Sequence, residues 1–126
     1  MAGELTYIHS DGKSIDVTLS YTVAAGQVSV VQGWLGIIEV GGASGDTVAM
    51  NVDQREYQFT VPAALAVAKG DTVYITLATV TGHKPDDAAW TKTIGAGKVP
   101  LFKATTAQDA NNIVHGLMLP NLAYVS

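Results

Sequence analysis

The chain has 126 residues, a formal net charge of −4 and no cysteine, and only 14% of its residues are charged. This length predicts a single domain, and the lack of cysteine excludes disulfides, thiolate zinc sites and thiol catalysis. Seven scattered cations against eleven acidic side chains argue against the basic surface that nucleic-acid binding needs. Soluble domains average about 25% charged residues, so the charge deficit predicts burial against partners.

Residues 1–13 are predicted to form an N-terminal arm ahead of the first clear strand. The arm carries Leu5, Tyr7 and Ile8 among polar residues, a pattern that suits a strand added to a sheet edge of another protein. The alternative is that residues 4–9 pair within the protein's own sheet. The arm lacks the segments of a secretory signal, and no apolar run approaches the ~20 residues of a membrane helix. We therefore expect a cytoplasmic product that does not enter a membrane.

Residues 14–126 are expected to form one all-β domain, a sandwich or barrel of short, mostly antiparallel strands with at most one short helix. Apolar and polar residues alternate along residues 14–23, which is the two-residue period of a half-buried strand. The inward side of this strand is predicted to carry Ile15, Val17, Leu19, Tyr21 and Val23. Further strands are predicted at 46–52, 56–61, 71–79, 99–104, 113–119 and 122–126.

The stretch Trp34–Ile38, with the sequence WLGII, follows a Gln-Gly turn and carries no polar side chain. A strand on the outside of a small antiparallel sandwich normally alternates between apolar and polar residues. Something must therefore cover the second face of this strand. We predict that a partner chain does so, which makes Trp34 and Ile38 candidate interface residues.

Glycine-containing turns separate the strands, and one segment favours a helix. The segments at 24–28, 68–73 and 95–99 each place glycine before a polar residue and a valine, and glycine supplies the positive φ of a tight reversal. The alanine-rich residues 62–69 predict one or two helical turns, because proline suits the start of a helix and glycine its end. Residues 81–97 are predicted to be the longest irregular loop.

Few side chains suggest chemistry. His9, His83 and His115 lack the i, i+2 or i, i+4 spacing of a local metal site. Asp86 and Asp87 form the only adjacent carboxylate pair, which suits a cation site or an acid–base couple, although we favour a solvated turn capped by aspartate. We predict that the protein is not an enzyme and has no catalytic residue, metal or cofactor.

Three longer stretches follow one another in a recognisable order and spacing. They are VAAGQVSVVQGWLGI, YQFTVPAALAVAKGDTVYITLATVT and GKVPLFKATTAQDANNIVHGLML. Together they resemble the small capsid cement, or decoration, proteins of tailed bacteriophages, and the resemblance spans residues 14–119. Gln27 departs from the family's pattern, which often has aspartate there, and the arm lies outside the resemblance.

The resemblance implies a structural virion protein that binds the outer surface of a capsid and stabilises the shell. Its expected partners are the major capsid protein and further copies of itself, as a dimer or trimer, without nucleic acid or membrane. The expected interface residues are Leu5, Tyr7, Ile8, Trp34, Ile38 and Trp90. The alternative function is a carbohydrate-binding β-module on a virion tail or spike, because Trp34 or Trp90 can stack on a sugar ring. A hydrolase would instead need clustered histidines and carboxylates.

Overall fold

The computed structural model describes residues 14–120, and their strands form two main sheets and a small hairpin. In chain order the strands are β1 (Ser14–Thr18), β2 (Val28–Val31), β3 (Trp34–Ile38), β4 (Thr47–Asn51), β5 (Glu56–Thr60), β6 (Thr72–Thr76), β7 (Val80–Thr81), β8 (Lys84–Pro85), β9 (Trp90–Thr91), β10 (Lys98–Ala104) and β11 (Ile113–Met118). The first sheet has the order β1-β4-β3-β2 and the second β5-β11-β10-β6-β9, while β7 and β8 pair with each other. All of these pairings are antiparallel, which confirms the all-β prediction.

The first sheet is apolar on both faces because each face packs against a different core of the same chain. Leu35 belongs to the larger core, which the first sheet shares with the second sheet. Ile38, on the opposite face of β3, belongs to a smaller core that Leu19 and Val23 complete. The surface predicted to come from a partner is thus supplied by the segment that follows β1. The predicted interface role of Ile38 is wrong, because its side chain is 0% exposed.

The larger core is organised around two stacked phenylalanine rings. The centroids of Phe59 and Phe102 lie 4.2 Å apart, with an angle of 9° between the ring planes. Gly116 on β11 lies against this stack, and a β-carbon at Gly116 would collide with the ring of Phe102. The glycine therefore lets the neighbouring strand accept a large aromatic ring at full burial.

The predicted alternation along residues 14–23 is confirmed except at Tyr21, whose side chain is 56% exposed. β1 ends at Thr18, and the chain then turns toward the loop between β3 and β4. The Leu19 N–H donates to the carbonyl of Asp46 at 2.8 Å, and the Val23 N–H donates to that of Gly42 at 2.9 Å. Because the strand has ended, the two-residue period no longer decides which way Tyr21 points.

Two local predictions differ from the structure. The predicted helix at 62–69 is only a three-residue 3-10 turn, Ala63–Leu65, because Ala66 already adopts a left-handed backbone conformation with φ 52°. Similar turns occur at Leu77–Thr79 and Asp87–Ala89. The predicted loop at 81–97 contains the hairpin of β7 and β8, whose two turn residues, Gly82 and His83, both have positive φ, as a tight two-residue hairpin requires.

The arm at 1–13 and the predicted strand at 122–126 lie outside the described residues. The division of the chain into an arm and a domain of residues 14–126 therefore stays a prediction. Within residues 14–120, no helix has the length and apolar character needed to cross a membrane.

Candidate functional site

A groove of about 820 Å³ separates one edge of the second sheet from the turn that precedes β2. One wall is β5 with the residues that follow it, and the other wall is the segment 24–28. Ile37 and Trp90 add apolar surface, while Lys84 and Asp87 add opposite charges. The groove therefore combines an apolar lining with polar groups, as ligand and peptide sites commonly do.

On its outer edge, the β5 wall pairs with no other strand of residues 14–120. Among the described strands β5 is the last in its sheet and pairs only with β11. The Val61 N–H donates to the carbonyl of Asn112 at 2.9 Å, which shows that odd-numbered residues of this strand point toward β11. Direction alternates along an antiparallel strand. The N–H and C=O groups of Glu56, Gln58 and Thr60 therefore point away from β11, toward the open edge.

His83 fastens the β7–β8 hairpin, which carries part of the groove lining, to the edge of the first sheet. The Ser20 N–H donates to His83 Nε2 at 2.9 Å, so the ring proton is on Nδ1, which donates to the Val30 carbonyl at 2.9 Å. The Val30 N–H in turn donates to the His83 carbonyl at 2.8 Å. The ring of Tyr21 meets the imidazole edge-on at 5.1 Å. Both ring nitrogens are thus occupied, which makes His83 a structural residue.

Tyr57, which lines the groove, has a perturbed hydroxyl group. Burial, followed by the hydrogen bond to Asp53 and the charge of that carboxylate, raises the pKa of Tyr57 to about 12. Arg55 pairs with the same carboxylate at 2.8 Å. The phenol of Tyr57 therefore stays protonated, as a hydrogen-bond donor, to a higher pH than an ordinary tyrosine.

We expect the protein to lose stability between pH 10 and pH 12 because of Tyr57. The folded pKa of about 12 lies above the ordinary value of 10.0, so the unfolded chain releases its proton first as the pH rises. The loss should be about 1 kcal/mol, less than the ~2.7 kcal/mol of two full pKa units, because the ring is partly exposed to solvent. Urea unfolding at pH 9 and pH 11 measures it, and Tyr57→Phe should show a shallower fall. Equal falls in both proteins would contradict the prediction.

The predicted interface residues lie at several different places. Trp34 opens β3 and is 41% exposed. Trp90 opens β9, is partly buried against the larger core and lines the groove. The two tryptophans belong to different sheets. Leu5, Tyr7 and Ile8 lie outside the described residues.

The other candidates from the sequence have structural surroundings. Asp86 accepts a hydrogen bond from Thr81 Oγ1 at 3.1 Å and its carbonyl accepts the Ala89 N–H, so the turn forms without a capping side chain. His115 lies exposed on β11, and its N–H donates to Thr106 Oγ1 at 3.0 Å. In the part of the chain from Ser14 to Pro120, no three His, Asp or Glu residues are grouped to hold a metal ion.

Comparison with known proteins agrees with a structural role. Residues 9–117 match a family model described as phage cement protein. No curated protein sequence matches the chain, and no solved structure matches it. The matched region contains the first sheet, the second sheet except Met118, and every residue that lines the groove.

Proposed function

This chain belongs to the phage cement protein family, and from that premise we propose that it binds the outer surface of an assembled phage capsid and stabilises the shell. The family match supports the coarser role of a structural capsid protein. The family match over residues 9–117 is the observation that carries the proposal. We further propose that the protein is made in the host cytoplasm and that its partners are the major capsid protein and other copies of itself.

Charge supports a position outside the shell. The net charge is −4, with seven cations, and packaged DNA attracts proteins that carry many cations. A low content of charged residues also suits a protein that works among neighbours, because charged side chains are depleted in the centres of interfaces. An acidic protein with few charges therefore fits the exterior of the capsid better than the DNA-filled interior.

Stabilisation follows from preferential binding to the assembled shell. A ligand that binds the assembled state but not separated subunits shifts the equilibrium toward assembly by mass action. Each contact need be only of ordinary size, about 1,600 Å² in total. If one cement oligomer contacts several capsid subunits, avidity adds to the affinity of each contact.

We propose contact residues among the exposed side chains. Trp34 is the strongest candidate in the described part of the chain, since tryptophan is enriched among residues that dominate binding energy and 41% of this side chain is exposed. Trp90 at the groove and the arm residues Leu5, Tyr7 and Ile8 complete the proposed surface. Partial burial of Trp90 against the core gives no support to a sugar-binding platform.

Heads prepared without this protein test the proposal. Adding the purified protein should raise the temperature at which the heads rupture, and a cryo-EM difference map should show added density on the outside. Separated capsid subunits serve as the control and should bind weakly. Density inside the shell, or heads that rupture at the same temperature with and without the protein, would refute the outer-surface proposal.

A further inference from the structure

We propose that His83 is a pH-sensitive latch, which holds the tip of the β7–β8 hairpin on the first sheet while its ring is neutral and releases the tip when the ring is protonated. The proposal goes beyond capsid binding and does not depend on it, since it concerns the free protein. It rests on the hydrogen bonds of the imidazole, the charges around the ring and the part of the groove wall that the hairpin carries.

One protonation state of the ring satisfies both of its hydrogen bonds. Nε2 accepts the N–H of Ser20 at 2.9 Å, and Nδ1 donates to the carbonyl of Val30 at 2.9 Å. A neutral imidazole has one donor and one acceptor, whereas both nitrogens of the protonated ring are donors. Protonation of Nε2 would therefore place two N–H groups against each other and break the bond to Ser20. The other neutral tautomer would lose both bonds.

The surroundings of the ring do not favour a positive charge. Residues 19–31, which include both bonding partners, contain no charged residue, and within residues 14–120 no carboxylate forms an ion pair with the imidazole. The titratable group in contact with the ring is Tyr21, which meets it edge-on at 5.1 Å. On the hairpin, Lys84 adds a like charge, while Asp86 accepts a hydrogen bond from Thr81. A protonated ring would therefore gain more from solvent than from its present site.

The backbone of the turn does not by itself explain the histidine. Both turn residues have positive φ, 59° at Gly82 and 70° at His83, and asparagine or aspartate is more usual than histidine in a tight hairpin turn. The imidazole is instead accounted for by the two hydrogen bonds that it makes to the first sheet.

Release of the tip would move one part of the groove wall. The Val30 N–H donates to the His83 carbonyl at 2.8 Å, so the backbone and the ring together hold the tip on β2. Lys84 and Pro85, the next two residues, line the groove. The chain beyond the hairpin is anchored separately, because β9 pairs with β6. The tip can therefore lift from β2 while the second sheet stays intact.

NMR of the free protein tests the latch at single atoms. At pH 8 the ring nitrogens of His83 should show the neutral form with its proton on Nδ1. Histidines change charge between about pH 8 and pH 5. Across that range the protection of the Ser20 and Val30 amides against hydrogen exchange, corrected for the effect of pH on exchange in unfolded peptides, should fall at least about 10-fold. The Val23 amide, which bonds to the Gly42 carbonyl at 2.9 Å, is the internal control and should keep its protection.

His83→Asn separates the ring from the turn. Asparagine suits a residue with positive φ, so the hairpin should still form, but its side chain does not titrate. The Val30 amide of this variant should therefore have the same protection at pH 8 and pH 5. His115→Asn is the matched control, because it removes an exposed histidine of β11, and it should leave the fall in protection in place.

Several results would overturn the proposal. A ring proton on Nε2 at pH 8 would contradict the hydrogen bonds on which it rests. Unchanged protection of Ser20 and Val30 would show that the hairpin stays closed, and a loss at Ser20 alone would show that the ring leaves without the hairpin. An equal fall at Val30 in the natural protein and in His83→Asn would assign the effect to another group. If His83→Asn does not fold, the measurements on the natural protein still decide.

Discussion

Gly116→Ala is expected to lower the free energy of unfolding by about 3 kcal/mol. The added β-carbon would collide with the ring of Phe102, which is fully buried and stacked on Phe59 at 4.2 Å. Adding a carbon to a well-packed core costs about 1–3 kcal/mol, occasionally more. Urea-induced unfolding of both proteins, followed by tryptophan fluorescence, measures the change.

A matched control and a rescue make this prediction specific. Leu117→Ala changes the next residue on β11, whose side chain is 40% exposed, and should cost much less. Phe102→Leu replaces the ring that causes the collision with a smaller side chain. It should therefore destabilise the Gly116→Ala variant less than it destabilises the natural protein. If the free energy of unfolding of Gly116→Ala lies within about 0.5 kcal/mol of that of the natural protein, which is the usual range for surface substitutions, the prediction is wrong. The core would then rearrange to accept the added carbon.

Trp34→Asp is expected to weaken binding to capsids at least about 100-fold, equivalent to about 2.7 kcal/mol. The indole is 41% exposed at the start of β3, where the pairing with Val31 holds the backbone. The substitution removes a large apolar contact and places a charge where an interface would exclude water. Titration of heads with labelled protein measures the affinity.

The controls separate the loss of an interface from the loss of the fold. Leu117→Asp introduces the same charge at an exposed apolar residue of the second sheet and should retain binding. Thermal unfolding of both variants shows whether the domain remains intact. Loss of binding in Leu117→Asp, with normal binding in a folded Trp34→Asp protein, would place the capsid contact on the second sheet.

Local patterns in the sequence identify most strands but not what covers them. The alternation that places Val17, Phe59 and Ile75 inside is confirmed, because a half-buried strand has a strict period of two. The same pattern shows that β3 is apolar on both faces without showing which residues close the second face. Leu19 and Val23, from the segment between β1 and β2, do so, and the alternation of apolar and polar residues does not show this contact.

The groove could not be predicted because it depends on sheet order. Gln58 and Thr60 look like the polar side of an ordinary strand, and only the position of β5 at the end of the sheet makes their backbone groups available. The β7–β8 hairpin was missed for a different reason. Its turn is Gly82-His83, and histidine is a less usual residue at positive φ than asparagine or aspartate.

The edges of the two sheets also decide how many strands the protein can recruit. On β2 the Val30 N–H is bonded to His83, on β1 the Thr18 N–H is bonded to Gln32 Oε1, and β9 has only two residues. Within residues 14–120, β5 thus offers three outward residues, Glu56, Gln58 and Thr60, whose backbone groups can pair with one added strand. A molecule with two such edges can polymerise end to end, whereas a single edge closes after one pairing. Two copies that pair with each other through β5 alone would therefore stop at a dimer rather than grow into a filament.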